Sequence, residues 1–209
     1  MALNTFVIIN NITNLSDARY CAGMGADVLG FTLEPDQPSS ISESTFKELT
    51  GWVAGVLFLA EFTTTSVQEI NKLAAEHQLD FVLLNQNYTA SDAKQIEKPV
   101  IIKLTFDNEK SADRLKALME DYNGKAEYFL IDSENTEEIS ADYVSLLRDL
   151  CAKFPVIIGF GLNATNLLAI LQQAEPAGVC LKGGHEIKPG LRNFDDLADM
   201  LELLQPEED

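Results

Sequence analysis

Short apolar runs alternate with amphipathic helical patterns along the whole chain. Each apolar run is rich in β-branched residues, is bounded by turn residues and lacks strict alternation, which is typical of strands covered on both faces. The runs predict strands near residues 6–9, 27–33, 53–59, 80–84, 99–104, 128–131, 155–158 and 177–181. The patterns between them predict helices near residues 15–24, 43–50, 66–77, 90–96, 108–122, 140–152, 163–173 and 193–204.

This repeat of strand and helix predicts an α/β fold. Eight strand–helix units in 209 residues favour a single-domain (β/α)8 TIM barrel that spans residues 1–209. An open, doubly wound sheet remains the alternative, because the pattern alone does not show closure. In a barrel the reacting groups collect at the C-terminal ends of the strands, so the residues that follow each run are candidates for a site.

Charge and composition narrow the function. The chain has 15 basic and 33 acidic residues, a net charge of -18, so we expect no binding to nucleic acid or to a membrane surface. Residues 1–5 lack the features of a signal peptide. Cys21, Cys151 and Cys180 are odd in number and widely spaced, which predicts reduced thiols and neither a disulfide nor a zinc site. We expect a cytoplasmic monomer or homodimer with no metal and no cofactor.

Two glycine-containing loops, Gly159–Asn163 and Lys182–Gly184, follow the last two predicted strands. Glycines let backbone amides approach a phosphate, although they also serve in tight turns alone. Two such loops at the phosphate position of barrels favour a site for a phosphorylated, sugar-like small molecule. The candidate phosphate ligands are Gly161, Lys182, Gly183 and Gly184.

Polar side chains end three other strands. Asp132 follows four apolar residues, and a partly desolvated carboxyl group suits a general acid, while capping of a loop or helix is an equal alternative. Asn10 and Asn11 end the first run, and Asn85 ends the fourth. Their amides are candidates for neutral contacts to a ligand.

The opening stretch resembles the phosphoribosylanthranilate isomerase family of tryptophan biosynthesis. Members begin with K-I-C-G-I-T, a short helix and then G-A-D-x-x-G-F, and residues 8–18 and 25–31 match this in order and spacing. Weaker similarity at 129–132, 159–163 and 184–194 extends the resemblance over essentially the whole chain. It implies a (β/α)8 barrel and an Amadori rearrangement of an aminoaldose into an aminoketose. The acid after strand six protonates the furanose ring oxygen, and the cysteine of K-I-C-G removes the C2 proton.

The resemblance also implies roles for single residues. Asp132 matches the general acid, but Asn10 occupies the position of the base, and a carboxamide cannot take up a proton near neutral pH. Loss of a positioned base typically costs roughly two to four orders of magnitude in rate. Ser39 stands where an arginine of the family meets the anthranilate carboxylate. Glu34 and Asp36 lie in the same loop, and an acid there is expected to repel that carboxylate. Phe160 fills a glycine position beside the phosphate.

Three functional hypotheses follow. The first, which we rank highest, is a phosphoribosylanthranilate isomerase-like barrel that keeps a small phosphate-ligand pocket but has altered or lost isomerase activity. The second is an active isomerase of this family with a different base, for which Glu34 and Glu61 are weak candidates because each is interpreted as a solvated loop carboxylate. The third is a non-catalytic scaffold whose mouth is filled by its own polar network. Phe160 and the acidic segment 134–138 raise the question of a blocked pocket.

Overall fold

Eight parallel strands close into a barrel. The computed structural model describes residues 3–107, 112–133, 138–183, 185–188 and 191–206. Each barrel strand pairs with the next along the chain, and the eighth pairs with the first from Phe6↔Gly178 to Asn10↔Lys182. The predicted (β/α)8 barrel is therefore confirmed, and the open sheet is excluded.

The strands are short and lie close to the predicted runs. Their bounds are β1 (Phe6–Asn10), β2 (Val28–Thr32), β3 (Leu57–Phe62), β4 (Phe81–Asn85), β5 (Val100–Thr105), β6 (Tyr128–Asp132), β7 (Val156–Ile158) and β8 (Gly178–Lys182). An antiparallel hairpin of β9 (His185–Lys188) and β10 (Leu191–Asn193) follows β8, where the sequence predicts a loop.

Five of the helices begin at a short polar side chain that accepts a hydrogen bond from the first turn. Their bounds are α1 (Leu15–Gly23), α2 (Glu43–Thr50), α3 (Val67–Glu76), α4 (Ala90–Gln95), α5 (Ala112–Asp121), α6 (Ala141–Cys151), α7 (Leu167–Ala174) and α8 (Asp195–Leu203). Asn14, Ser42, Ser66, Thr89 and Ser140 act as N-caps in this way. Within the described residues, no helix is long and apolar enough to cross a membrane.

Strand β3 differs most from its prediction, which was 53–59. Gly55 has a φ of 77° and turns the chain, so the strand begins only at Leu57. It then continues through Glu61 to Phe62. The strand therefore carries a carboxylate within its length, and this carboxylate faces the barrel mouth.

The barrel interior is built in layers. Its middle layer is a buried apolar cluster of Ile8, Val28, Leu59, Leu83, Ile101, Leu130, Ile157 and Cys180. Side chains alternate along a strand, so the positions two residues further along face the same way at the C-terminal end. Those positions carry Asn10, Gly30, Glu61, Asn85, Lys103, Asp132, Gly159 and Lys182. A larger apolar cluster fills the space between the strands and the helices.

Candidate active site

A cavity of about 290 Å³ opens at the C-terminal ends of the strands. Polar side chains form most of its wall, among them Asn10, Asn11, Glu61, Lys103, Asp132 and Lys182. Thr32, Gln37, Pro38, Thr63, Leu130, Gly159 and Cys180 complete the lining. The mouth thus brings together the candidate acid, the two N-terminal amides and Lys182.

A chain of polar contacts crosses this mouth. Asn10 Nδ2 donates to Glu61 Oε2 at 3.1 Å, and Lys103 Nζ lies 2.8 Å from Glu61 Oε1. The same Lys103 Nζ lies 3.5 Å from Asp132 Oδ2. The side chains of Glu61 and Asp132 are only 14% and 16% exposed. Glu61 is therefore not a solvated loop carboxylate, and that expectation is wrong.

Lys103 is the cation shared by the two carboxylates. Burial lowers the pKa of Lys103, but the charges of Glu61 and Asp132 and the hydrogen bond to Glu61 outweigh burial and hold this pKa above its usual value. The ammonium group is therefore protonated at neutral pH. Glu61 is the closer partner of this cation, and Asp132 is the more distant one.

Asn10 is 5% exposed, and the two ends of its carboxamide have different surroundings. The nitrogen donates to Glu61, whereas Oδ1 has no hydrogen-bond partner among the described residues. A Cβ added to Gly30 would lie 2.3 Å from this oxygen. The glycine on β2 therefore leaves the space that the Asn10 carboxamide occupies.

The other two candidate amides differ from each other. Asn11 lines the cavity and has a φ of 61°, in the left-handed region that favours glycine, which is the residue of the K-I-C-G motif at this point. Asparagine tolerates this region better than most other side chains. Asn85 Oδ1 accepts a hydrogen bond from the Asn87 N–H at 2.9 Å, within its own loop, and Asn85 does not line the cavity.

The two glycine loops also differ. The Gly183 N–H donates to Asn10 O at 2.9 Å and extends the pairing of β8 with β1, so this amide is already engaged. Gly161 has a φ of 62°, and its carbonyl accepts from Asn166 Nδ2 at 2.7 Å. Lys182 is exposed at the cavity wall. Gly184 and residues 134–137 lie outside the described residues, and a phosphate site at these loops stays a prediction.

Phe160 does not narrow the cavity. It follows the inward-facing Gly159, so its ring points to the opposite side of the strand end, into the layer between barrel and helices. There it is 4% exposed and stacks on Phe106, with ring centroids 5.2 Å apart and an interplanar angle of 21°.

Glu34 is buried, and the expectation of a free acid facing the ligand is wrong for this residue. It is 5% exposed and accepts hydrogen bonds of 2.7–2.9 Å from the N–H groups of Thr63 and Thr64 and from the hydroxyls of Thr64 and Thr65. Burial raises the pKa of Glu34, but these hydrogen bonds outweigh burial and hold the pKa below its usual value. Ser39 is exposed, has a φ of 60° and does not line the cavity.

Cys180 is a thiol at the floor of the cavity. Burial, followed by the nearby charge of Asp132, raises the pKa of Cys180 to about 12. This thiol is protonated at neutral pH, so Cys180 does not supply the thiolate base that the cysteine of K-I-C-G implies.

A possible cation-binding group lies away from this mouth. The ligand atoms of Glu43, Glu76 and His77 are within 4.8 Å of one another, and none of these residues lines the cavity. His77 Nε2 already lies 3.0 Å from Glu43 Oε2. A metal on Nε2 would place the ring proton on Nδ1, which is buried and has no partner among the described residues. A histidine–glutamate hydrogen bond therefore accounts for this group better than a metal does.

The sequence interpretation missed the pairing of Glu61 with Lys103. The alternation of side chains along a strand predicts this pairing, because each of the two residues lies two positions after a residue of the apolar middle layer of the barrel. An inward carboxylate and an inward ammonium at the same height of a barrel are expected to meet.

The fold and the mouth together define a (β/α)8-barrel protein with a cavity lined by charged side chains at the C-terminal ends of its strands. Residues 8–203 match the sequence model of the family described as N-(5'phosphoribosyl)anthranilate (PRA) isomerase. The chain belongs to this family, which confirms the resemblance of its opening stretch.

Relatives and solved structures agree with this assignment. The chain is 25% identical over 200 residues to N-(5'-phosphoribosyl)anthranilate isomerase of Maridesulfovibrio salexigens, covering 94% of this chain and 96% of the relative. It is 28% identical over 203 residues to that of Pelodictyon phaeoclathratiforme, covering 90% and 92%.

Among solved structures, the isomerase of Thermotoga maritima is 24% identical, with a TM-score of 0.79 over 95% of this chain and 97% of that chain. An isomerase in complex with reduced 1-(o-carboxyphenylamino)-1-deoxyribulose 5-phosphate is 23% identical, with a TM-score of 0.78 over the same shares. These two structures support the fold.

Proposed function

We propose that this chain is an active aldose–ketose isomerase of the phosphoribosylanthranilate isomerase type, which uses Asp132 as its general acid and a base other than Asn10. The observation that carries the proposal is the arrangement of Asp132, Lys103 and Glu61 around one cavity. A proton donor and a proton acceptor that line one small cavity are what an Amadori rearrangement needs.

Asp132 suits the acid. It ends β6, lines the cavity, and its Oδ1 accepts a hydrogen bond from the Ser133 N–H at 2.9 Å, which fixes the carboxyl group in place. Its Oδ2 has the longer contact to Lys103, whereas Glu61 has the shorter contact and a further hydrogen bond from Asn10, so the two carboxyl groups have different surroundings. Two carboxyl groups whose surroundings differ in this way can divide the roles of acid and base.

A phosphorylated substrate also suits the mouth. Lys182 places an amino group on the cavity wall of a chain whose net charge is -18, whereas Lys103 on the same wall is paired with Glu61 and Asp132. A local ammonium group such as that of Lys182 can attract an anion even when the distant field is repulsive, because salt screens the distant charges. Glu34 keeps its carboxylate hydrogen-bonded to the β3–α3 loop, so it does not face an anthranilate group in the cavity.

The test is turnover of phosphoribosylanthranilate by protein purified from a host that lacks its own isomerase. The expected result is steady conversion to the ketose product, a kcat lower by roughly two to four orders of magnitude in Asp132→Asn, and unchanged kinetics in Glu69→Gln. Glu69 is a matched control because it is an exposed glutamate on α3. Absence of turnover by the unmodified protein, or full activity of Asp132→Asn, would contradict the proposal.

A second candidate is a barrel that binds a phosphorylated ligand without turning it over. One observation favours it: Asn10 stands at the position of the base, and its carboxamide cannot take up a proton. This candidate gains if the reduced 1-(o-carboxyphenylamino)-1-deoxyribulose 5-phosphate raises the melting temperature while no turnover is detected. A protein that responds to neither compound would favour the scaffold hypothesis.

A further inference from the structure

We propose that Glu61 is the general base of this barrel and that Asn10 positions it. The inference rests on the proposed function and identifies the group that replaces the missing cysteine. Glu61 lies on β3 at the inner face of the mouth, and its Oε2 is 3.1 Å from Asn10 Nδ2. A carboxylate oxygen is thus held beside the position at which the family resemblance puts the base.

Apart from Glu61, the acidic and thiol groups near the mouth have other roles or other partners. Among the described residues, the cavity is lined by two carboxyl groups, those of Glu61 and Asp132, and by one thiol, that of Cys180. Asp132 is assigned to the acid, and the Cys180 thiol is protonated because burial raises its pKa to about 12. Glu34 does not line the cavity and has four hydrogen bonds to its carboxylate. Glu61 remains.

The contacts of Glu61 leave room for a proton. A carboxylate offers about four lone pairs. Lys103 occupies a lone pair of Oε1, and Asn10 occupies a lone pair of Oε2. The ion pair with Lys103 and the hydrogen bond from Asn10 together hold the carboxylate of Glu61 at the cavity wall. Asn10 is itself held in place because it is packed against Gly30.

The step balances with these two carboxyl groups alone. Asp132 protonates the ring oxygen while the C1–O bond breaks, and the lone pair of the substrate nitrogen forms C1=N. Glu61 then takes the C2 proton, the C2–H electron pair forms C1=C2, and the C1=N electrons return to nitrogen. Tautomerisation of the enol moves the hydroxyl proton to Asp132 and delivers the proton held by Glu61 to C1. Substrate and product are isomers, and no oxidant or reductant is used.

The first measurement compares Glu61→Gln with Glu69→Gln under the turnover assay. Glutamine keeps the size of the side chain but takes up no proton, so kcat is expected to fall by roughly two to four orders of magnitude while KM changes little. The low-pH limb of the kcat/KM profile, which reports the base of the free enzyme, is expected to disappear. Glu61→Asp, which keeps a carboxylate but shortens its reach, is expected to retain intermediate activity and provides a second variant if Glu61→Gln folds poorly.

The second measurement separates the positioning role of Asn10 from a structural one. If Asn10 acts through Glu61, Asn10→Ala lowers kcat in the unmodified protein but has little further effect in the Glu61→Gln background. If Asn10→Ala lowers kcat by the same factor in the unmodified protein and in Glu61→Gln, Asn10 does not position Glu61. Turnover by the unmodified protein together with full activity of Glu61→Gln, or an unchanged pH profile, would overturn Glu61 as the base and leave the proposed function standing. Absence of turnover by the unmodified protein would overturn both.

Discussion

Asn10 keeps its side-chain conformation because position 30 is glycine: a Cβ at Gly30 would lie 2.3 Å from Asn10 Oδ1 and 3.2 Å from Asn10 Cα. The two strands are neighbours, and both positions face the mouth. A contact this short cannot be relieved by the backbone of a closed barrel without shifting its pairing. The carboxamide must therefore move if position 30 gains a side chain.

Gly30→Ala is accordingly expected to destabilise the protein by about 1–3 kcal/mol, the usual cost of overpacking. The measurement is urea unfolding, and Gly23→Ala is the control, because a Cβ there meets nothing within 4 Å. In the Asn10→Ala background the cost of Gly30→Ala should shrink, since the nearest atom has been removed. If Gly30→Ala lowers the free energy of unfolding equally in both backgrounds, the added Cβ is accommodated by atoms other than the Asn10 side chain.

Glu34 is expected to make stability depend on acidic pH. Its folded pKa lies below its usual value, so its contribution is fully present above the unfolded pKa of about 4.3 and is lost as pH falls through the folded pKa. Glu34→Gln removes hydrogen bonds to a charged acceptor and should cost about 1–3 kcal/mol at pH 7.

The check for Glu34 is urea unfolding of the unmodified protein and of Glu34→Gln between pH 7 and pH 3. The difference in unfolding free energy between the two proteins is expected to disappear only in the acidic part of this range. Glu69→Gln, on an exposed surface, provides the comparison. A gap that is constant with pH would contradict the assigned hydrogen bonds.

Lys103→Met should leave two partly buried carboxylates without their cation. Removal of one partner of a buried pair costs about 3–5 kcal/mol, and the 26% exposure of the Lys103 side chain puts the expected loss below this range at neutral pH. Because the folded pKa of Lys103 is raised, the pair contributes fully below the unfolded pKa of about 10.4 and is lost as pH rises through the folded pKa.

Unfolding of Lys103→Met and of the surface variant Lys72→Met, measured at several pH values, tests this expectation. The loss in Lys103→Met should be present at neutral pH and should shrink as pH rises through the folded pKa of Lys103, because the unmodified protein then loses the same cation. If Lys103→Met is as stable as the surface variant, the network does not hold the mouth together in solution.

The barrel was predictable from the sequence because the strands are mostly buried apolar runs and five of the helices between them begin at a short polar N-cap. The error at β3 has a physical cause. The apolar run begins before the turn at Gly55, and the strand ends on Phe62 after a carboxylate that looks like a loop residue. A charged residue within a strand is tolerated here because Lys103 on β5 pairs with it.

The site was predictable in part. Asp132, Asn10 and Asn11 lie at the mouth because strand ends converge in any barrel. Burial of Glu34 was not predictable, since it depends on three threonines that follow the next strand and meet Glu34 only after the sheet has closed. The same holds for Phe160, whose direction depends on the alternation set by Gly159.

If Glu61 is the base, a thiol at position 10 should replace it in part. Asn10→Cys in the Glu61→Gln background puts a titratable group where the K-I-C-G motif has its cysteine, on the wall of the same cavity. We expect kcat of the double variant to be at least tenfold higher than kcat of Glu61→Gln alone. The recovered activity should rise toward higher pH, because an ordinary thiol has a pKa of about 8.5 and the thiolate is the active form.

Asn10→Ser in the Glu61→Gln background is the matched control for this rescue, because a hydroxyl of similar size takes up no proton at these pH values. Melting temperatures of both double variants separate folding from chemistry. Recovery by cysteine but not by serine would show that the missing group is a proton acceptor beside position 10. Glu61 Oε2 lies at that place, 3.1 Å from Asn10 Nδ2. Equal recovery by both, or by neither when both are folded, would mean that the loss in Glu61→Gln is not the loss of a proton acceptor at this position.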